Sequence, residues 1–201
     1  MENHGGSFWN ERYAGEEFVY GTEPNIFFKE QIDKLKPGKL LMLGEGEGRN
    51  GVYAAKKGWE VDAVDFSEKA REKALKLAEF EKVKFNYTVK DLLNYEPKKN
   101  HYDAAGLIFL HLNENTRENI YKRVIGSLRP SGIIIMEVYS KEQLGRSSGG
   151  PQDPEMLYSI EGIKNIFGGL KLKLLKQEII YLTESRFHYG EASVIRFVGE
   201  K

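Results

Sequence analysis

Leu40-Leu41-Met42-Leu43-Gly44-Glu45-Gly46-Glu47-Gly48-Arg49-Asn50 is the stretch that decides the fold. Four consecutive apolar residues have the length of a buried strand, and three alternating glycines follow at once. Such glycines serve where backbone turns tightly and approaches a ligand with no Cβ in the way. The spacing predicts a helix over 49–57, with Val52, Tyr53 and Ala55 on one side and Gly58 as its C-cap. The following Trp59-Glu60-Val61-Asp62-Ala63-Val64-Asp65 alternates like a strand and ends on an acid.

Asp65 stands where a strand-end carboxylate accepts hydrogen bonds from adenosine ribose hydroxyls. Strand, glycine turn, helix and acid in that order point to a nucleotide-type cofactor, against an unliganded turn and a solvated strand end. No lysine-serine or lysine-threonine pair follows the glycines, which argues against an NTPase phosphate loop. A dinucleotide would favour a further small residue soon after Gly48, where the chain has Arg49-Asn50-Gly51.

Outward from this unit the βα order repeats. Ser67 reads as the N-cap of a helix over 68–79, rich in alanine, leucine, lysine and glutamate. A third strand is expected over 83–87 and a fourth over 102–109, joined through Asp91-Leu92-Leu93. A helix over 115–128 carries Ile120, Val124 and Leu128 on one face and is closed by Pro130 and Gly132. Ile133-Ile134-Ile135-Met136-Glu137-Val138-Tyr139 is a near-continuous apolar run, as in a strand covered on both faces. The fold class is therefore α/β, an open and mostly parallel sheet with helices on both faces. Segment 141–154, with Gly145, Gly149, Gly150 and two prolines, reads as a mobile loop that packs poorly. A short helix over 159–167 is followed by strand-like runs over 170–182 and 191–198, close enough for an antiparallel pair.

The 201 residues suit one domain, and no low-complexity linker divides them. Thirty basic and 30 acidic residues cancel, leaving no field to gather a nucleic-acid backbone or an anionic membrane. No apolar run approaches the roughly 20 residues of a membrane span. Met1-Glu2-Asn3-His4-Gly5-Gly6 lacks a signal-peptide pattern, so the expected location is cytoplasmic. The absence of cysteine excludes disulfides, thiolate ligands and a cysteine nucleophile. Four scattered histidines show no ligand spacing, and metal independence is expected.

Further segments carry a family likeness: Phe8-Trp9-Asn10-Glu11-Arg12-Tyr13, Tyr20-Gly21-Thr22-Glu23-Pro24-Asn25, Val64-Asp65-Phe66-Ser67, Leu128-Arg129-Pro130-Ser131-Gly132 and Phe187-His188-Tyr189-Gly190-Glu191-Ala192. With the glycine turn, they make nearly the whole chain resemble the class I, Rossmann-like S-adenosylmethionine-dependent methyltransferases. Within that class they resemble the branch of TehB-like and thiopurine-methyltransferase-like enzymes. The resemblance implies a seven-stranded sheet with an antiparallel last strand, the cofactor S-adenosyl-L-methionine, and methyl transfer to a small molecule.

It further implies that Gly44, Gly46 and Gly48 hold the methionyl part, with Glu45, Arg49 and Asn50 also binding the cofactor. Asp65 would take the ribose, with Phe66, Asp91 and Leu92 about the adenine. Residues 1–30 would fold over the cofactor, with Arg12 meeting a carboxylate or bracing the cover, or else forming a surface ion pair. Many relatives carry an acid two residues before the first glycine, where it helps bind the methionine amine. This chain has Met42 there, so either Glu45 compensates or backbone carbonyls and water take the amine.

Tyr20, Tyr139, Arg186 and His188 are expected around the acceptor, Tyr139 having a core role as its alternative. His111, following the fourth strand, is the candidate general base, or else a hydrogen-bonded histidine that shapes the site. Segment 141–154 is expected to act as a lid with the N-terminal cover. Two other classes remain open: an NAD(P)-dependent oxidoreductase and a non-catalytic adenosyl-ligand-binding protein. A nucleic-acid substrate is disfavoured, and monomer and homodimer are both open.

Overall fold

A computed structural model of the chain describes residues 4–201, with side chains from Phe8 onward. Residues 1–3, part of the expected cover and of the segment read for a signal, lie outside the described residues. In chain order the elements are α1 (His4–Arg12), α2 (Ile26–Ile32), β1 (Lys39–Leu43), α3 (Arg49–Lys56), β2 (Glu60–Asp65), α4 (Glu68–Phe80) and β3 (Asn86–Val89). There follow β4 (Tyr102–Ile108), α5 (Glu114–Ser127), β5 (Leu128–Tyr139), α6 (Ile160–Phe167), β6 (Lys171–Ser185) and β7 (His188–Glu200).

The seven strands form one sheet in the order β3-β2-β1-β4-β5-β7-β6. The first five run parallel, while β7 is antiparallel to both β5 and β6. Apolar side chains on the two sheet faces build two cores. One joins Leu41, Leu43, Leu107 and Met136 to Ile120, Tyr121 and Val124 of α5 and to Ile163 and Phe167 of α6. The other joins Leu40, Met42 and Ile135 to Phe27, Phe28 and Ile32 of α2 and Ala54 of α3. Met42 is thus a core residue: a Cβ on Gly106 would lie 2.4 Å from its sulfur.

Three local expectations shift. The third strand starts at Asn86 because the chain is still closing α4, with the Val83 amide donating to the Ala78 carbonyl and Lys82 at φ 57°. Strand β5 begins at Leu128, straight from α5, so Pro130 and Gly132 lie within it; Leu128 pairs with Tyr102 before a register shift. The terminal strands are longer than their apolar runs, and the connection shrinks to Arg186 and Phe187 because Ser185 pairs with His188.

Segment 141–154 packs better than its composition suggests. Gln143 and Ser148 are buried. The Gln143 amide donates to Ser148 Oγ and the Gly149 carbonyl, both at 2.9 Å, and accepts from the Ser193 amide at 2.9 Å. One glutamine therefore ties the glycines to β7. Among the described residues no helix is long and apolar enough to cross a membrane.

Candidate active site

Strand β1 delivers the glycine turn to the carboxyl edge of the sheet, where Gly44, Gly46 and Gly48 take φ of 63°, 61° and 92°. These left-handed values favour glycine. At Gly48 the close approach adds a second reason, since a Cβ would lie 2.9 Å from the Ala74 Cα of α4. Gly48 is also the N-cap of α3 and offers no side-chain acceptor. Glu45 supplies one instead: its Oε1 accepts from the Gly51 amide in the first turn of α3.

Burial holds the Glu45 carboxyl up at about 8, and Oε2 has no partner. A carboxyl raised from its unfolded value contributes stability at low pH, and that contribution is lost as pH rises through the folded value. Glu45→Gln keeps an oxygen for Gly51 and has no proton to lose. Its melting temperature relative to the parent should therefore climb steadily between about pH 5 and about pH 9, as differential scanning calorimetry would show. A pH-independent difference would contradict the buried neutral carboxyl.

Asp65 ends β2 and is buried. Its Oδ2 accepts from the Gly46 amide and Oδ1 from the Ser67 amide, both at 2.9 Å. Burial raises its pKa, against the amide bonds that favour the carboxylate. Phe66, half-buried, follows directly. At the end of β3, Asp91 accepts from the Leu93 amide at 2.9 Å and Leu92 enters the core.

The N-terminal segment lies across this turn. Tyr13 is buried, stacks on Trp9, and places its hydroxyl where a Cβ on Gly46 would approach within 2.9 Å. Asn10 accepts from Ser67 Oγ at 2.7 Å, joining α1 to the start of α4. Glu47 fastens the remainder of the cover: it accepts from the Val19 amide at 2.8 Å and pairs with buried Lys73 at 2.7 Å. Lys73 in turn donates to the Glu17 carbonyl at 2.6 Å.

Beside the turn stands an aromatic cluster. The His188 ring lies 4.7 Å from Tyr20, 4.6 Å from Phe109 and 5.9 Å from Tyr139. Phe109, immediately after β4, holds φ at 50°, a strained value for a phenylalanine. Phe187, at the tip of the β6–β7 hairpin, is 6.3 Å from Tyr20. The Arg12 and Arg186 guanidinium groups lie 4.5 and 4.7 Å from the Phe187 ring centre. Neither makes an ion pair among the described residues, whereas the alternative reading of Arg12 required one.

Glu184, near the end of β6, gathers the polar residues behind this cluster. It accepts from Arg49 Nη2 at 2.9 Å, from Asn25 Nδ2 at 3.0 Å, and lies 3.2 Å from His188 Nδ1. Burial alone would raise its pKa, but the His188 bond and Arg49 outweigh this and hold it at about 2. Burial holds His188 below the ordinary imidazole value, so at neutral pH Arg49 is the cation that balances Glu184. Asn50 accepts from the Asn25 amide at 2.9 Å, so Arg49 and Asn50 both tie the start of α3 to the cover.

His111 stacks on Tyr139 at 5.3 Å, with Nδ1 3.1 Å from the Met156 carbonyl. Burial lowers its pKa to about 4, and Nε2 is sealed from solvent without a partner. Tyr139 itself is buried and donates to the Ser148 carbonyl at 3.2 Å. The sequence reading gave no role to Glu184 or Phe109, and quoted Tyr13 and Asn25 only within family-like segments; Asn25 carried a local signal as the cap preceding α2. Among the described residues no group of three or more His, Cys, Asp or Glu suits a metal ion. Two shallow hollows, about 250 Å³ beside Gln31 and Ile133 and about 500 Å³ beside Leu93 and Asn119, lie off this constellation and hold no comparable set of groups.

A methyltransferase-domain family model matches residues 40–132, from β1 into the start of β5. No curated protein sequence matches the chain. Among solved structures, one concerned with converting a disulfide bond into a thioacetal group during echinomycin biosynthesis is similar at a TM-score of 0.76 and 15% identity, covering 97% of this chain and 91% of that one. TehB from Haemophilus influenzae is similar at 0.72 and 15% identity, over 97% of this chain and 66% of TehB. The cyclase SpnF is similar at 0.68 and 13% identity, over 97% and 91%. The family model and the strand order agree: the chain has the fold of the class I, Rossmann-like S-adenosylmethionine-dependent methyltransferases, with their domain signature over residues 40–132.

Proposed function

We propose that the protein binds S-adenosyl-L-methionine and transfers its methyl group to a small-molecule acceptor. The observation that carries this reading is the left-handed Gly44–Gly46–Gly48 turn, with buried Asp65 at its side and an aromatic cluster nearby. The residues suit the cofactor: the glycine turn admits a close ligand, and each Asp65 oxygen keeps a lone pair beyond its amide bond. Gly44, Gly46 and Gly48 would hold the methionyl part, Asp65 the ribose, and Phe66, Asp91 and Leu92 the adenine. When bound, the sulfonium supplies an electrophilic methyl group.

The chain's own work is positioning and exclusion of water. Arg49 and Asn50 act by holding the cover to the turn, and Glu45 by capping α3. Tyr20, Tyr139 and His188 wall the acceptor space, Arg12 and Arg186 stand at its mouth, and His111 braces Tyr139. Residues 1–30 and 141–154 together close the site. We place the chain in the TehB-like, thiopurine-methyltransferase-like branch, supported by its N-terminal segments and by the likeness to TehB.

Isothermal titration with S-adenosylhomocysteine and with NADH tests the reading. We expect micromolar binding of the first and none of the second; the reverse would establish the oxidoreductase alternative. The likeness to the cyclase SpnF supports a second reading, in which this fold serves chemistry other than methyl transfer. Binding of S-adenosylhomocysteine without methylated product across phenol, thiol and amine acceptors would favour it.

A further inference from the structure

We propose that His188 and Glu184 form a proton-accepting dyad, and that the acceptor is a planar aromatic ring bearing a hydroxyl group whose proton His188 removes. This rests on the methyl-transfer reading above and names its base and substrate class.

The dyad follows from hydrogen bonding. Glu184 is ionised, so it can only accept, and the ring nitrogen facing it, Nδ1, must carry the hydrogen. Nε2 is then the lone-pair nitrogen. Among the described residues it has no hydrogen-bond partner, yet it is not one of the sealed buried atoms, in contrast to Nε2 of His111. Both side chains of the pair are only 8% exposed, so the geometry is held by packing. Arg49 and Asn25 fix the Glu184 carboxylate, and Phe109 and Tyr20 press on the imidazole. The charged or titratable groups around His188 are Glu184 from β6, Arg49 from α3, Tyr20 from the cover, Tyr139 from β5 and His111 after β4.

The acceptor class follows from what such a base accomplishes. Thiols ionise readily and amines attack through a free lone pair, whereas a hydroxyl oxygen gains most from losing its proton as it attacks. Tyr20 and Phe109, both half-buried, offer rings against which a flat aromatic body packs, with buried Tyr139 behind Phe109. In the step, the hydroxyl oxygen bonds to the donated methyl carbon, and the electron pair of the broken carbon–sulfur bond stays on sulfur. The hydroxyl proton passes to Nε2, giving an imidazolium that faces the Glu184 carboxylate; solvent takes the proton after the product leaves.

Nitrogen-15 NMR of the histidine rings tests the dyad without turnover. We expect His188 as the Nδ1–H tautomer. Adding 4-nitrophenol to the S-adenosylhomocysteine complex at about pH 6, where the phenol keeps its proton, should move the Nε2 resonance of His188 and not that of His111. Glu184→Gln should mix the tautomers. His188→Gln should bind 4-nitrophenol about tenfold more weakly while binding nitrobenzene, which has no hydroxyl, unchanged; a merely structural role would weaken both. A resting Nε2–H tautomer, equal losses for the two probes, or no 4-nitrophenol binding to protein that binds S-adenosylhomocysteine would each overturn the proposal. Failure of the wild type to bind S-adenosylhomocysteine would instead remove the methyl-transfer reading, and the tautomer would still decide the dyad.

Discussion

Asp65→Asn should weaken S-adenosylhomocysteine binding about a hundredfold, the loss of two charge-assisted hydrogen bonds of roughly 1.5 kcal/mol or more each. The carboxylate accepts from the Gly46 and Ser67 amides with one oxygen apiece, and both are donors. An asparagine must turn its NH2 toward one of them, so the substitution converts an attraction into a donor–donor clash and unsettles the glycine turn. On the proposed reading, two ribose hydroxyls lose an ionic acceptor at the same time. Titration calorimetry measures the affinity, with circular dichroism as the check on folding. An affinity within about threefold of the parent, in folded protein, would show that Asp65 does not bind the ribose.

The largest stability effect is expected at Arg196→Met. Glu137 is fully buried near the end of β5, directly paired with Arg196 of β7 in the sheet register. Arg196 Nε donates to Glu137 Oε2, Nη1 donates to Glu178 at 2.6 Å, and Asn25 donates to Glu137 Oε1 at 2.7 Å. Removing the guanidinium strands a carboxylate in the core, at a cost of about 3–5 kcal/mol in urea unfolding near neutral pH. Burial already raises the Glu137 pKa, and Arg196 opposes that rise. Without Arg196 the folded value rises further, so the variant loses stability as pH increases and its deficit shrinks toward about pH 5. The double substitution Arg196→Met with Glu137→Met should be less damaging than Arg196→Met alone, because no buried charge is left unpaired. A double variant no better than the single would point to lost packing rather than a stranded charge.

Why Glu137 sits in the core at all is a tertiary matter. In the run Ile133 to Tyr139 it is the lone acid among apolar residues, and nothing nearby in the chain compensates it. Its partners arrive from α2 and β7, more than 50 residues away on either side. The same holds for Glu184, which touches Arg49, Asn25 and His188; only His188 is a near neighbour in sequence. The expected gap between the last two strands concealed Glu184 and the pairing of Ser185 with His188. Strand pairing continues past the apolar residues because backbone hydrogen bonds, not hydrophobicity, carry it to Ser185 and His188.

The local features were legible because their causes are local. A glycine at positive φ, an apolar strand of fixed length, a serine cap such as Ser67 before α4 and an acid closing β2 each express the physics of a few adjacent residues. Repeated in βα order, they determined the sheet, the crossing helices and the edge where a cofactor binds. The sequence by itself thus settled the fold and the place of the glycine turn. Only the tertiary structure decided which nitrogen of His188 is left open, how Glu45 serves α3, and how Gln143 pins the glycine loop. Each of these depends on a hydrogen-bond partner selected by burial, since a polar group removed from water must find whichever complement the fold brings to it.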